Sequence, residues 1–192
     1  MVVLILGLVI FLGVHSVRML ADGWRTRTLA RVGEGTYKGV YTVASLLGFS
    51  LLVYGFGLAR QQPVQLWAPP YAMKHVASAL MLVSFVLLAA AYVPGNAIKA
   101  RLHHPMVLAV KTWSVAHLLA NGNRAHVVLF GAFLAWAVWN FVAARRRDRA
   151  NGVVYPPGHA KGTAITLLAG GAAWVLFAFW LHGWLIGVRP LG

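Results

Sequence analysis

The sequence predicts an all-α integral membrane protein, a single domain over residues 1–192 with about six transmembrane helices in a polytopic bundle. Three observations predict this class: 60% of the residues are hydrophobic, the mean hydropathy is +0.72, and only 10% of the residues are charged. Soluble domains of this length do not have such a composition. The eight Trp residues suit the aromatic belts at the two faces of a bilayer.

The apolar runs predict the spans in chain order, since about 20 apolar residues cross a bilayer as a helix. The first run, Val2 to Leu20, lacks a basic start and a small-residue cleavage site, so we expect a retained helix rather than a signal peptide. The other spans are predicted at 37–58, 72–92, 105–121, 124–144 and 163–187, and glycines suited to close helix contacts occur at 48, 55, 57, 170 and 171.

Charge predicts the topology. The net charge of +14 with pI ≈ 11.4 could indicate a nucleic-acid protein, but the basic residues cluster between apolar spans, so we exclude nucleic acid and expect anionic lipid as their partner. The segments 21–38, 96–104 and 145–161, predicted as loops, hold eleven Lys and Arg residues, and the opposite side holds four. The positive-inside rule then places both termini in the periplasm of a bacterial inner membrane. The sequence has no cysteine, which excludes disulfides and thiolate ligands.

The stretch from His103 to Asn123 is the predicted functional segment. Pro105 suits the first turn of a helix, and Asn121-Gly122 is expected to end it in the left-handed conformation. Polar groups at membrane depth are costly and normally face an interior or a cavity. Helical spacing predicts two polar stripes here, one of Ser114, His117 and Asn121 and one of His104 and Lys111; Trp113 is also in this segment.

The predicted topology sorts the histidines by depth. His75 and His117 fall toward the outer face, and His15 and His104 toward the inner face. We expect His103 and His159 in loops, and His126 and His182 at the membrane interface. Near the end of the first span, two alternatives remain open: Arg18 extends to the interface and pairs with Asp22, or a polar site faces the bundle and Asp22 orients His15 or Arg18. The candidate catalytic residues are His104, Lys111, His15 and Arg18.

Two imidazoles from neighbouring helices at one depth are a typical haem b site. The pair His75 and His117 is therefore the predicted axial pair, with Trp113, Ser114 and Asn121 beside it and with His15 and His104 as a second site or alternative pair. Proton relay and substrate binding remain open. Zinc and Ser–His–Asp chemistry are disfavoured because no carboxylate is expected at mid-membrane to orient a histidine.

Six segments carry a family resemblance: FLGVHSVR, YKGVYTVASLLG, QLWAPP, AAYVPG, HHPMVLAVKTW and AHLLANG. They resemble the NnrU family of bacterial membrane proteins in order along most of residues 4–142. The resemblance implies an association with denitrification and nitric-oxide metabolism. The family is also similar to 15-cis-ζ-carotene isomerase, which uses haem b and has a Cys three residues before its last motif His. The corresponding positions here are Ser114 and His117, after His104-Pro105. The missing Cys means that isomerase activity does not transfer directly, whereas haem binding through His117 does.

Two other functions remain open. The His104-Pro105 element also resembles the RHPxY motif with which isoprenylcysteine carboxyl methyltransferase and its relatives hold S-adenosylmethionine, although His103 and Val107 depart from that motif and only Asp148 remains of its acidic residues. A non-catalytic accessory protein for nitrogen-oxide respiration is the third hypothesis. Besides the bilayer, the partners left open are a small apolar substrate, a second copy of the chain and a respiratory protein.

Overall fold

The computed structural model describes residues 1–191 and is all-helical within them, apart from one isolated bridge between Gln65 and Asn123. The helices are α1 Val2–Leu20, α2 Asp22–Val32, α3 Glu34–Gln61, α4 Ala72–Tyr92, α5 Ala97–Leu102, α6 Pro105–Ala120, α7 Arg124–Ala150, α8 Ala160–Leu176 and α9 His182–Ile186, with a π-helical turn at Phe177–Leu181 between the last two. The predicted all-α polytopic class is confirmed.

Within residues 1–191, five helices are long and apolar enough to cross a membrane: α1, α3, α4, α7 and the continuous segment Ala160–Ile186. Their large apolar side chains lie mainly on the outside, as Leu168 and Trp184 show at 74% and 81% exposure. Such surfaces require lipid rather than water around them. The fourth predicted span, α6, has 16 residues and rises about 24 Å, less than the roughly 30 Å of a hydrocarbon core.

Two segments that we predicted as basic loops are partly helical. Residues 22–32 form α2, which has no buried residue, and residues 97–102 form α5. Local interactions account for α2: Asp22 lies in its first turn and pairs with Arg25 at 3.5 Å, and Gly33 ends the helix at φ +82°. The partner of Asp22 in the structure is thus Arg25, which the sequence had not indicated. Helix α7 also continues past the predicted end at 144, through the basic run to Ala150.

The chain divides into two compact units. Unit 1 comprises residues 1–67 and 123–136, and unit 2 comprises residues 68–122 and the chain from Ala137 onward, so α7 contributes to both. In unit 1, α1 and α3 pack through glycines, with Gly7 against Leu52, Gly48 against Phe11 and Gly55 against Leu4. At Gly48 an added Cβ would lie 2.7 Å from the backbone nitrogen of Phe11. The predicted contacts at Gly48 and Gly55 are confirmed, whereas Gly57 faces open space.

In unit 2, α4 packs against both α6 and α8. Ser84 of α4 donates a 2.8 Å hydrogen bond to the carbonyl of Ala109 in α6. Gly170 of α8 lies against the backbone of Val86, as predicted, whereas the close contact also predicted for Gly171 is wrong, because an added Cβ there would face open space. Small buried residues on α4 and α6 allow this approach: Ala77, Ser84, Ala109 and Ala116.

The turn between α4 and α5 anchors the start of α8. Asn96, only 2% exposed, accepts from the amide of Lys99 as the N-cap of α5 and donates to the carbonyl of Ala90 at 3.0 Å. The Thr163 hydroxyl accepts from the amide of Ala97 at 3.0 Å. Most of the Lys and Arg residues of unit 2 lie in α5, in the last turns of α7 and in the first turn of α8. We call this set the basic end, defined by Lys99, Arg101, Arg145, Arg146, Arg147, Arg149 and Lys161.

Candidate functional site

A strained turn at the basic end positions two consecutive histidines before α6. His103 has φ +72° and ψ −58°, and the amide of His104 donates to the carbonyl of Leu102 at 3.0 Å. These values define a γ-turn in its rarer positive-φ form. His103 is the one non-glycine residue with positive φ among the described residues. Such conformations cost about 1–3 kcal/mol and persist where surrounding contacts hold them.

The contacts of His104 provide part of that support. Its Nε2 atom lies 2.7 Å from Oδ2 of Asp148 near the end of α7, and the Tyr155 hydroxyl donates to the same oxygen at 2.9 Å. The side chains of His104 and Asp148 are 21% and 18% exposed. An ionised carboxylate only accepts hydrogen bonds, so Nε2 of His104 carries a proton, and in the neutral ring Nδ1 is the acceptor nitrogen.

His103 is held by two further residues of the same cluster. Its ring stacks on Tyr155 with a centroid distance of 4.1 Å, and its Nδ1 is in contact with the guanidinium of Arg145. Arginine only donates, so Nδ1 of His103 accepts. Burial and the Asp148 carboxylate raise the pKa of Tyr155 above its ordinary value, which keeps its hydroxyl protonated as a donor. We call these five residues the His–Asp cluster: His103, His104, Arg145, Asp148 and Tyr155.

The predicted axial pair lies at the other end of unit 2. Helices α4 and α6 are antiparallel, because α5 contacts the end of one and the start of the other. From the Ser84–Ala109 contact, His75 is nine residues back along α4 and His117 eight residues on along α6. Both therefore lie about 12–14 Å from that contact, at similar depth. His75 is exposed with its ring 5.6 Å from that of Tyr71, and His117 is half-buried.

The residues around His117 form one local set on α6. Its Nδ1 lies 2.9 Å from the Trp113 carbonyl, and its own carbonyl accepts from Asn121 at 2.9 Å. Ser114 is fully buried, and its hydroxyl has no hydrogen-bond partner among residues 1–191. Asn121 is extended, with φ −135° and ψ 124°, so the predicted left-handed helix end is wrong. The side-chain amide of Asn121 binds the last turn instead.

The remaining predicted residues are spread over the chain. Lys111 is exposed on α6, where we expected it to face the interior. Arg18 is exposed near the end of α1. His15 is half-buried in unit 1, with its Nδ1 2.7 Å from the Phe11 carbonyl and its ring 5.4 Å from Tyr41 and 6.4 Å from Trp136. The Trp136 indole nitrogen there has no hydrogen-bond partner within the described chain.

Sequence reasoning missed most of the His–Asp cluster. His103 was expected in a loop without further role, and Asp148 was not expected to orient a histidine, yet its carboxylate lies against His104. The available signal was that Asp148, one of three acidic residues in the chain, stands inside the basic run RRRDR. His159 was also expected to be an unremarkable loop residue, but its Nδ1 accepts from the Gly162 amide and caps α8.

Metal-ligating side chains do not converge on one point in the described chain: no group of three or more His, Cys, Asp or Glu residues could hold a metal ion. This observation bears on multi-ligand sites such as structural zinc. Haem requires at most two protein ligands, so it is a separate question.

The helices, lipid-facing surfaces and polar cluster define a polytopic helical membrane protein with histidines at both ends of one unit. The family model described as NnrU protein matches residues 3–190. The chain therefore belongs to the NnrU family. No curated protein and no solved structure gives a significant match.

Proposed function

We propose that this NnrU-family membrane protein binds haem b with His117 as an axial ligand and His75 as the second. The observation that supports the pair is the antiparallel register of α4 and α6, fixed by the Ser84–Ala109 hydrogen bond. It gives His75 and His117 a common depth in one unit, as two axial ligands of one iron require.

The surroundings of His117 fit a haem ligand. An imidazole that binds a metal usually donates a hydrogen bond from its second ring N–H to a carboxylate, a carbonyl or water, and this bond fixes the tautomer and orientation of the ring. The Trp113 carbonyl is in that position against Nδ1, so Nε2 is the nitrogen that would bind iron. One turn earlier, the buried Ser114 hydroxyl lacks a partner in the described chain. Buried polar groups are nearly always satisfied, so an unsatisfied one indicates room for a bound polar group.

The packing of α4 against α6 limits where the porphyrin would lie. Small buried residues keep the two helices close, including Ala77 and Ala116 near the level of the two histidines. A porphyrin would therefore lie beside the contact line between α4 and α6 rather than within it. His75 is exposed there and can reorient toward such a position. Bound haem would supply reversible one-electron chemistry at iron.

The absorption spectrum of the purified protein tests this proposal. We expect a Soret band with sharp α bands after reduction in the wild type, and loss of the band or a high-spin spectrum in His117→Ala and in His75→Ala. His104→Ala should keep the haem, because His104 is 13 residues from His117 along the chain, roughly 20 Å as helix rise. An unchanged haem content in His117→Ala and His75→Ala, together with loss of haem in His15→Ala or His104→Ala, would contradict the assignment.

The family membership also supports a biological setting for such a haem. We propose that the protein acts in nitrogen-oxide metabolism, either in a redox-type isomerase step or as an accessory to respiration. A deletion strain that consumes nitric oxide and nitrite at the wild-type rate would argue against that setting. A colourless purified protein that binds S-adenosylmethionine would replace the haem proposal with the methyltransferase hypothesis. The contact between His104 and Asp148 favours that hypothesis, because it places a carboxylate beside the His-Pro element.

A further inference from the structure

We propose that the His–Asp cluster is a binding and proton-transfer site for a phosphate monoester. The proposal is independent of haem, because the cluster lies at the end of α6 opposite to His117. The ligand has to satisfy the hydrogen-bonding roles of two side chains, His104 and Arg145.

His104 offers an acceptor. Its Nε2–H donates to Oδ2 of Asp148, with 2.7 Å between the two heavy atoms. When the ring is neutral, this tautomer leaves Nδ1 as a base. This is the relationship in which a carboxylate fixes the tautomer of a catalytic histidine and stabilises the imidazolium that forms. The ring of Phe141 stands edge-on to His104 at 6.2 Å and borders the site with an apolar group. The side chain is 21% exposed, so a ligand can reach it.

Arg145 offers donors. Its guanidinium has five N–H groups, and His103 accepts from it. Arg145 and Asp148 are separated by three positions on α7 and so share one face of the helix, while His103 and His104 are adjacent in the γ-turn. The donors of Arg145 and the acceptor of His104 are thus presented by one cluster. The surrounding run of residues 145–149 contains four arginines and one aspartate, which favours an anion.

A ligand for this pair needs anionic oxygens and one acidic O–H. The monoanion of a phosphate monoester has both, with a second pKa of about 6. A phosphate diester has no O–H, and an ionised carboxylate has none either. In the proposed step the phosphate O–H bond breaks and an N–H bond forms at Nδ1 of His104. The dianion then pairs with the imidazolium and Arg145, the ester bond stays intact, and nothing is oxidised or reduced.

The position of the cluster agrees with a ligand at the membrane surface. It lies where α6 begins and where α7 runs through its basic segment. A lipid with a monoester head, such as phosphatidic acid, and a soluble phosphate would offer the same chemistry. The experiment therefore includes both sources.

The full chain would be reconstituted in phosphatidylcholine nanodiscs that contain equal mole fractions of phosphatidic acid or phosphatidylglycerol, and bound lipid would be counted by native mass spectrometry. We expect a preference for phosphatidic acid in the wild type that falls roughly tenfold or more in His104→Gln and Arg145→Gln, as loss of a hydrogen bond to a charged group implies. Arg149→Gln, which removes an exposed charge from the same run, is the matched control and should keep the preference. Histidine ¹⁵N NMR should show Nδ1 of His104 becoming protonated when phosphatidic acid is added.

Tyr155→Phe keeps the ring that stacks on His103 and removes only the hydrogen bond to Asp148, so it tests the cluster with little risk to folding. It should reduce the preference in part. Displacement of the lipid by inorganic phosphate would support the site and assign it to a soluble monoester, and retention would support the lipid. An equal loss in Arg149→Gln and Arg145→Gln, or an equal affinity for the two lipids in the wild type, would overturn the proposal, because either result means diffuse charge attraction.

Discussion

The Nε2 atom of His104 lies 2.7 Å from Oδ2 of Asp148, although the two residues are 44 positions apart in the sequence. The contact joins the start of α6 to the end of α7. The chain has only three acidic residues, and this contact makes one of them the partner of His104. The arrangement is the clearest chemical feature of unit 2.

Ionisation of Tyr155 should weaken this arrangement at alkaline pH. Burial and the Asp148 carboxylate raise the pKa of Tyr155 above the ordinary value of 10.0. A raised folded-state pKa means that the stabilisation is complete below the unfolded pKa and is lost as the pH rises through the folded one. We expect the thermal midpoint of the detergent-solubilised protein to fall above about pH 10, and to fall less in Tyr155→Phe. Identical pH profiles in the two proteins would refute this link.

Packing of α1 against α3 should depend on Gly55 and not on Gly57. A Cβ at Gly55 would collide with the backbone of Leu4, whereas a Cβ at Gly57 would meet no atom within 4 Å. Gly55→Ala should therefore cost about 1–3 kcal/mol through overpacking. Gly57→Ala should be neutral or slightly stabilising, since alanine is favoured over glycine in a helix. Thermal unfolding of both variants followed by tryptophan fluorescence measures the difference, and equal midpoints would contradict it.

Asn96 should stabilise the turn that leads into α5. Its side chain caps α5 and donates to the carbonyl of Ala90 while remaining 2% exposed. Asn96→Ala should lower the free energy of unfolding by about 1–2 kcal/mol, the usual cost of a lost cap. Asn151→Ala, at an exposed turn residue, serves as the control. Denaturant titrations would measure both, and a loss in the control as large as that in Asn96→Ala would point to a general effect.

The topology prediction is tested by reporter fusions. If α6 counts as a span despite its 16 residues, a fusion after Gly192 should report a periplasmic C-terminus, because the arginines from 145 to 149 hold the preceding segment inside. Cytoplasmic activity at Gly192 would mean that the chain crosses the membrane five times, with α6 as the helix that does not span.

The sequence by itself determined the class, the helices and several close contacts. Hydrophobic run length and helix-breaking residues are local properties, so the α1 and α4 bounds were predicted as they occur. Glycines in apolar runs were sufficient to predict the close approaches at Gly48, Gly55 and Gly170. The resemblance to the NnrU family, read from short motifs in order, is confirmed over residues 3–190.

Only the tertiary structure decided which polar residues meet. Asp148 lies in an arginine run that reads as a solvated segment, and its pairing with His104 depends on α7 continuing to Ala150 and on the turn at His103. Lys111 shared a predicted polar stripe with His104, yet its side chain is exposed. Helical periodicity fixes which residues share a face, but the neighbouring helix that a face meets is set by packing between distant segments of the chain.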